Sequence, residues 1–284
     1  MVLTRRPVDD QAAGLRQTLS QGNRRRADGP PLLAVASGKG GVGKTFLALN
    51  LALALSDQGR SCVLMDLDWG LANLDIALGL APQRHLGHVL AGTCTVGDAL
   101  IDGDGLTLLP NACGEVLIPQ GESLQIGPLI DAIVAARPGC RLVIADTHPG
   151  LSAGGVDVVR QSAATVVVST TEPTSITDTY ALIKVLLQGS LETPIGLVIN
   201  QAPSAERAEE AAQRLDMVSR RFLGRGVPYW GCIPQDAAVA QSVHRQRPLL
   251  RQAPRGRTAA AIQTIASSLS AVLDSRRMAG GAAS

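Results

Sequence analysis

Residues 38 to 45 read Gly-Lys-Gly-Gly-Val-Gly-Lys-Thr. The pattern G-x-x-x-x-G-K-[ST] marks a loop whose backbone N–H groups close around phosphate oxygens. Working outward, Leu32-Leu33-Ala34-Val35-Ala36 is a short apolar run of the kind that forms a buried strand. On the other side, Phe46 to Leu55 is helix-length and leads to a helix stop at Gly59. A glycine loop between strand and helix is a phosphate site, because the positive helix end adds to the loop donors. Gly38, Gly40, Gly41, Val42 and Gly43 form the cradle. Lys44 is placed to reach the β- and γ-phosphates, and the Thr45 hydroxyl to ligate Mg²⁺.

Composition sharpens this reading. Of 26 basic residues only Lys39, Lys44 and Lys184 are lysine, so two of the three sit in the loop. A compact ammonium enters a tight phosphate cradle better than a planar guanidinium. The chain of 284 residues is 45% hydrophobic but only 2% aromatic, so its core must be aliphatic. One α/β domain of roughly 240 residues plus a tail is the simplest partition. No apolar run approaches the ~18 residues of a membrane span, and the N-terminus lacks a secretory pattern, which makes the cytoplasm the expected location. Cys62, Cys94, Cys113, Cys140 and Cys232 include no C-x-x-C pair, which argues against a local metal knuckle or an iron–sulfur carrier. Residues 1–30 carry six arginines against three aspartates, while the rest is slightly acidic. A nucleic-acid binder would need a local basic patch.

Three regions are expected: an arm over residues 1–30, a nucleotide-binding domain over 31–275, and a disordered tail over 276–284. Within the domain, Cys62–Leu67, Leu106–Pro110, Arg141–Asp146, Thr165–Thr170, Ile195–Asn200 and Tyr229–Ile233 read as further strands, and Ser123–Ala136 as one of the helices between them. Continuous apolar strands alternating with helices predict a mainly parallel sheet covered on both faces, with its ligand crevice at the carboxyl strand ends. Asp66, Asp68, Asp146, Glu172, Asn200 and Pro234 all fall at or just beyond such ends. Asp146 suits the Mg²⁺-associated acid of P-loop enzymes, with an N-cap as its structural alternative. Of Asp66 and Asp68, one would support the metal site while the other orients the attacking water. Asn200 is a candidate for the base edge, or else an Asx-turn residue. His148, followed by Pro149, reads as a switch-loop residue and not as a general base, because phosphoryl transfer depends on positioning and charge.

With Lys39 added to the motif, Gly38–Thr45 resembles the deviant Walker A loop of the MinD/ParA ATPases, and Val63–Gly79 is similar to their switch I segment. The resemblance implies that ATP is the nucleotide, that ATP drives homodimerisation, that Lys39 reaches the partner's phosphates, and that Asp68 aligns the hydrolytic water. Closer still is the FlhG/FleN/YlxH family of flagellar-number ATPases. Thr171–Lys184 resembles that family's segment after the fifth strand, and Arg245-Gln246-Arg247-Pro248-Leu249 its late basic stretch. Asp10, Gln11, Ala12, Leu15 and Arg16 match its D-Q-A-x-x-L-R motif. The family implies an FlhF-type GTPase as partner of that arm, a flagellar master transcription activator as a second partner, and slow, stimulated ATP hydrolysis. The chain departs from the family at Asp146-Thr147-His148-Pro149-Gly150, where Asp-Thr-Gly/Ala-Ala-Gly is usual, and at Trp69.

Family members often associate with membranes through a C-terminal amphipathic helix. Here Ile262, Ile265, Leu269, Val272 and Leu273 face away from Gln263, Thr264, Ser267, Ser268 and Ser270. A polar face without basic residues predicts a core-covering helix and at most weak peripheral association at the inner membrane face or pole. Two other functions stay open. One is a ParA-like partitioning ATPase touching DNA through Arg245, Arg247, Arg251, Arg255 and Arg257, although a solvated or partner-binding face is the more expected role for these. The other is a non-catalytic anti-activator scaffold with ATP as a structural ligand.

Overall fold

A computed structural model describes residues 29–112, 126–187 and 193–281. Within them the chain runs β1 (Leu32–Ser37), α1 (Lys44–Asp57), β2 (Cys62–Leu67), α2 (Leu74–Ala77), α3 (Leu86–Leu90), α4 (Val96–Ala99), β3 (Ile101–Gly103) and β4 (Leu106–Leu109). It continues through α5 (Gly127–Ala136), β5 (Leu142–Thr147), α6 (Ala153–Gln161), β6 (Ala164–Ser169), α7 (Pro173–Leu187), β7 (Ile195–Ala202) and α8 (Ala205–Leu223). Last come β8 (Tyr229–Pro234), α9 (Ala237–His244), α10 (Leu249–Gln252) and α11 (Arg257–Gly281).

The eight strands form one sheet in the order β3-β4-β2-β5-β1-β6-β7-β8, parallel throughout except for the β3–β4 hairpin. Helices cover both faces, as continuous apolar strands require. β1, β2, β5 and β6 are buried along their whole length. Alternate residues of each strand feed two cores. Leu33 and Val35 join α1 and α11 on one face, while Ala34 and Ala36 join residues of α6, α7 and α8 on the other. β1 lies between β5 and β6, so the glycine loop leaves the middle of the sheet.

α11 settles the reading of the C-terminal helix. Ile262, Ile265, Leu269 and Leu273 are buried against α1 and β8. Arg60 ties the helix down by donating to Ser270 and Asp274. Its apolar face is therefore committed to the core. Among the described residues no helix is long and apolar enough to cross a membrane. The expectation of a disordered tail from residue 276 needs correction: α11 runs on to Gly281. Ser275-Arg276-Arg277-Met278-Ala279 contains no helix breaker, so the anchored helix propagates past its last core contact. The arm residues Asp10, Gln11, Ala12, Leu15 and Arg16, and Cys113, lie outside the described residues.

Candidate nucleotide and switch site

The glycine loop is shaped by two neighbours that leave no room for side chains. A Cβ on Gly38 would overlap the backbone of Asp178 in α7, and a Cβ on Gly43 would overlap the Asn200 side-chain amide at the end of β7. Gly43 also has φ +84, the left-handed region that glycine enters without penalty. From β7, Asn200 Nδ2 donates to Val42 O at 2.8 Å and Gln201 Nε2 to Gly41 O at 3.3 Å. Gln201 holds φ 53 to do so, a conformation uncommon for a side-chain-bearing residue. Where side chains at Gly40 and Gly41 would stand, there is open space. α1 starts at Lys44 without a side-chain cap, so its first N–H groups are available to an anion.

Beneath the loop lies a compact charged cluster. β2 and β5 are in register at Asp66 and Asp146, which brings the two carboxyls side by side. Lys44 Nζ donates to Asp146 Oδ1 at 2.6 Å, and Thr45 Oγ1 to Asp146 Oδ2 at 2.6 Å. Lys44 also lies 3.7 Å from Asp68 Oδ2. Burial pushes the Asp146 carboxyl above the ordinary range even though Lys44 and Thr45 pull the other way. Asp66 is pushed up to about 7, by burial first and by Asp146 second. Asp68 differs: burial opposes its ionisation, yet Lys44 and the His148 hydrogen bond hold its pKa below the usual value.

Asp66 and Asp68 also shape the loop between β2 and α2, within the segment that resembles switch I. Asp66 Oδ1 accepts the Asp68 N–H, and its Oδ2 accepts those of Asn73 and Leu74. Both Asp66 oxygens are thus engaged by backbone, an anchoring role beyond the metal support expected of it. Asp68 Oδ1 accepts from Gly70 N and Leu71 N and meets His148 Nδ1 at 2.8 Å.

Lys39 projects from the loop surface, 41% exposed. Its ammonium lies 3.4 Å from Glu172 Oε2 and 3.2 Å from Thr174 Oγ1, at the start of α7. Glu172 therefore faces the second lysine of the motif. Pro234 closes β8 beside Ala202, at the same edge as Asn200.

The residues fit a magnesium nucleotide. Open glycines, uncapped helix N–H groups and a buried ammonium suit the phosphates, and the Thr45 hydroxyl and Asp146 carboxylate are hard oxygen donors of the kind Mg²⁺ takes. The assembly at the centre of a parallel sheet defines the class: a P-loop nucleotide-binding protein.

The comparisons make the class specific. The model of the CobQ/CobB/MinD/ParA nucleotide binding domain matches residues 33–249, and the chain belongs to that family. Among its relatives is the antiactivator FleN of Pseudomonas aeruginosa, 38% identical over 236 residues, covering 83% of this chain and 84% of FleN. Another is the flagellum site-determining protein YlxH of Helicobacter pylori, 28% identical over 247 residues, covering 85% and 82%. In structure, the chain matches the cell division ATPase MinD of Pyrococcus furiosus with TM-score 0.70 at 25% identity, covering 85% of this chain and 99% of MinD. It also matches the MinD of Pyrococcus horikoshii complexed with Mg-ADP, with TM-score 0.69 at 25% identity, covering 84% and 96%. The family is one of P-loop ATPases, and this chain is of its FleN type.

Two participants, Gln201 and Thr174, were not singled out in the sequence. Gln201 lies in no motif and Thr174 is one position within the family-like Thr171–Lys184 segment, and their contacts depend on loops 160 and 135 residues away in sequence. His148 was read as a switch residue, but nothing local indicated that its ring would meet Asp68, 80 residues upstream.

Proposed function

We propose that the chain is a nucleotide-switched ATPase that restrains flagellar number or placement, binding ATP with Mg²⁺ and dimerising around it. The observation that carries this reading is the pair of loop lysines. Lys44 is buried among the carboxylates beneath its own loop, whereas Lys39 stands on the surface, held among the described residues by the exposed Glu172 and Thr174. An ammonium so placed is available to phosphates of a second copy. Thr45 and Asp146 would hold Mg²⁺, which when bound neutralises phosphate charge. Lys44 would move from Asp146 to the β- and γ-phosphates, Asn200 and Pro234 would flank the base, and Asp68 would align the water that displaces ADP. The similarity to FleN and YlxH supports a flagellar output through a transcription activator, with an FlhF-type GTPase engaging the N-terminal arm.

A DNA-partitioning role draws less support. Arg251 is bound bidentately to Asp57 at 2.7 and 2.9 Å, and Arg257 is paired with Asp236, which takes two arginines out of the basic stretch. The test has two arms. Phosphate release by the wild type should be slow but measurable and should vanish in Asp68→Ala. Cells carrying Lys44→Ala in place of the wild-type copy should change flagellar number. A wild type that binds ATP yet releases no phosphate would favour the scaffold reading, and unaltered flagellation would remove the output assigned to it.

A further inference from the structure

We infer that His148 is a positioning residue that sets the orientation of the Asp68 carboxylate and thereby ties the switch I-like segment to the turn His148–Gly150 after β5, here called switch II; this rests on the ATPase reading above. Asp68 Oδ1 collects three contacts: Gly70 N and Leu71 N at 3.2 Å each, and His148 Nδ1 at 2.8 Å. The imidazole is the shortest of them and the only one from another segment of the chain. With Oδ1 so held, Oδ2 is left pointing at Lys44, 3.7 Å away. The carboxylate is thus fixed about its own axis, one oxygen to switch II and the other toward the phosphate loop.

The surroundings are built for this contact. A Cβ on Gly70 would stand 3.0 Å from His148 Cε1, so glycine lets switch I close on the ring. Behind His148, Thr147 Oγ1 donates to Val35 O and Gly150 N to Ser37 O, which fastens both sides of the histidine to β1. The ring therefore rides on the strand that launches the glycine loop. An ionised carboxylate offers only acceptors, so Nδ1 must carry the proton in this pair. That requirement gives the contact a spectroscopic signature independent of catalysis.

The experiment joins that signature to kinetics. The chain has four histidines, His85, His88, His148 and His244, so ring ¹⁵N spectra can be assigned by substitution. In the nucleotide-free wild type the His148 ring should show a protonated Nδ1, and in Asp68→Ala it should relax to the Nε2–H form. In steady state, His148→Ala should lower kcat by roughly 10–100-fold, the scale of a misplaced reacting group, with KM within about twofold. His148→Asn, whose Nδ2 can stand where Nδ1 does, should recover most of that loss. A bare Nδ1 in the wild type overturns the inference whatever the kinetics, as does an unchanged kcat in His148→Ala. A wild type with protonated Nδ1 but no phosphate release would instead overturn the ATPase reading and leave the pairing intact.

Discussion

Gly43→Ala is the sharpest test of how the loop is held. Gly43 sits at φ +84, which costs an alanine on the order of 1–2 kcal/mol. The new methyl would also overlap the Asn200 amide, so Asn200 must swing away and give up its bond to Val42 O, worth about 1 kcal/mol. Leaving that buried amide unpaired costs a further ~1–3 kcal/mol. The expected loss is therefore roughly 3–6 kcal/mol if the loop keeps its shape, and less if the loop distorts instead. Urea denaturation without nucleotide measures the total. Gly40→Ala, where open space meets the methyl, is the control and should stay within about 0.5 kcal/mol. The overlap predicts coupling, so Gly43→Ala should cost ~2–4 kcal/mol less in an Asn200→Ala background. A Gly43→Ala protein as stable as the control, or fully additive with Asn200→Ala, would refute this account of the loop.

Other outcomes follow from the same geometry. Asp66, with its folded pKa raised to about 7 from the 3.8 of a free side chain, takes up a proton on folding. Its stabilising contribution is full below pH ~4 and is lost as pH rises through about 7. The change amounts to at most ~4 kcal/mol, since partial opening of the site would lessen it. Urea titrations across that range should show this fall in the wild type and a flatter profile in Asp66→Asn. Leu269→Ala, in a fully buried position on α11, should cost ~2–5 kcal/mol in the same assay while leaving nucleotide affinity unchanged once folded. A small cost there would mean that the helix is not seated in the core. Glu172→Gln removes the charge that faces Lys39 and should not destabilise the monomer measurably, because an exposed pair contributes ~0–1 kcal/mol.

The sheet was legible because buried parallel strands are written as unbroken apolar runs, and each of the seven strands read from the sequence is found in the structure. The eighth, β3, escaped because Ile101-Asp102-Gly103 is too short to show a pattern. Its signal lay in the turn: Asp104 and Gly105 both have positive φ, as a tight hairpin demands. The placement of the glycine loop between β1 and α1, and of Asp146 on β5, was legible because a phosphate-loop motif constrains residue type and spacing locally. The fine structure of the site was not. Gln201 enters the left-handed region within a β-bulge between Ile199 and Ala202, which carries β7 past Asn200, and no propensity encodes such strain. Asp66 read as a support of the metal site, but the three N–H groups it accepts come from a loop whose path only the fold determines.

Lys39 decides between a switch that works as a pair and a site complete within one chain. Multi-angle light scattering of Asp68→Ala, chosen to preserve bound ATP, gives the direct reading with and without Lys39→Ala. Mass should double on adding ATP and Mg²⁺ when Lys39 is present and stay at one chain when it is replaced. Doubling that survives the loss of the Lys39 ammonium, with ATP still bound, would contradict the assignment of that group to the neighbouring molecule.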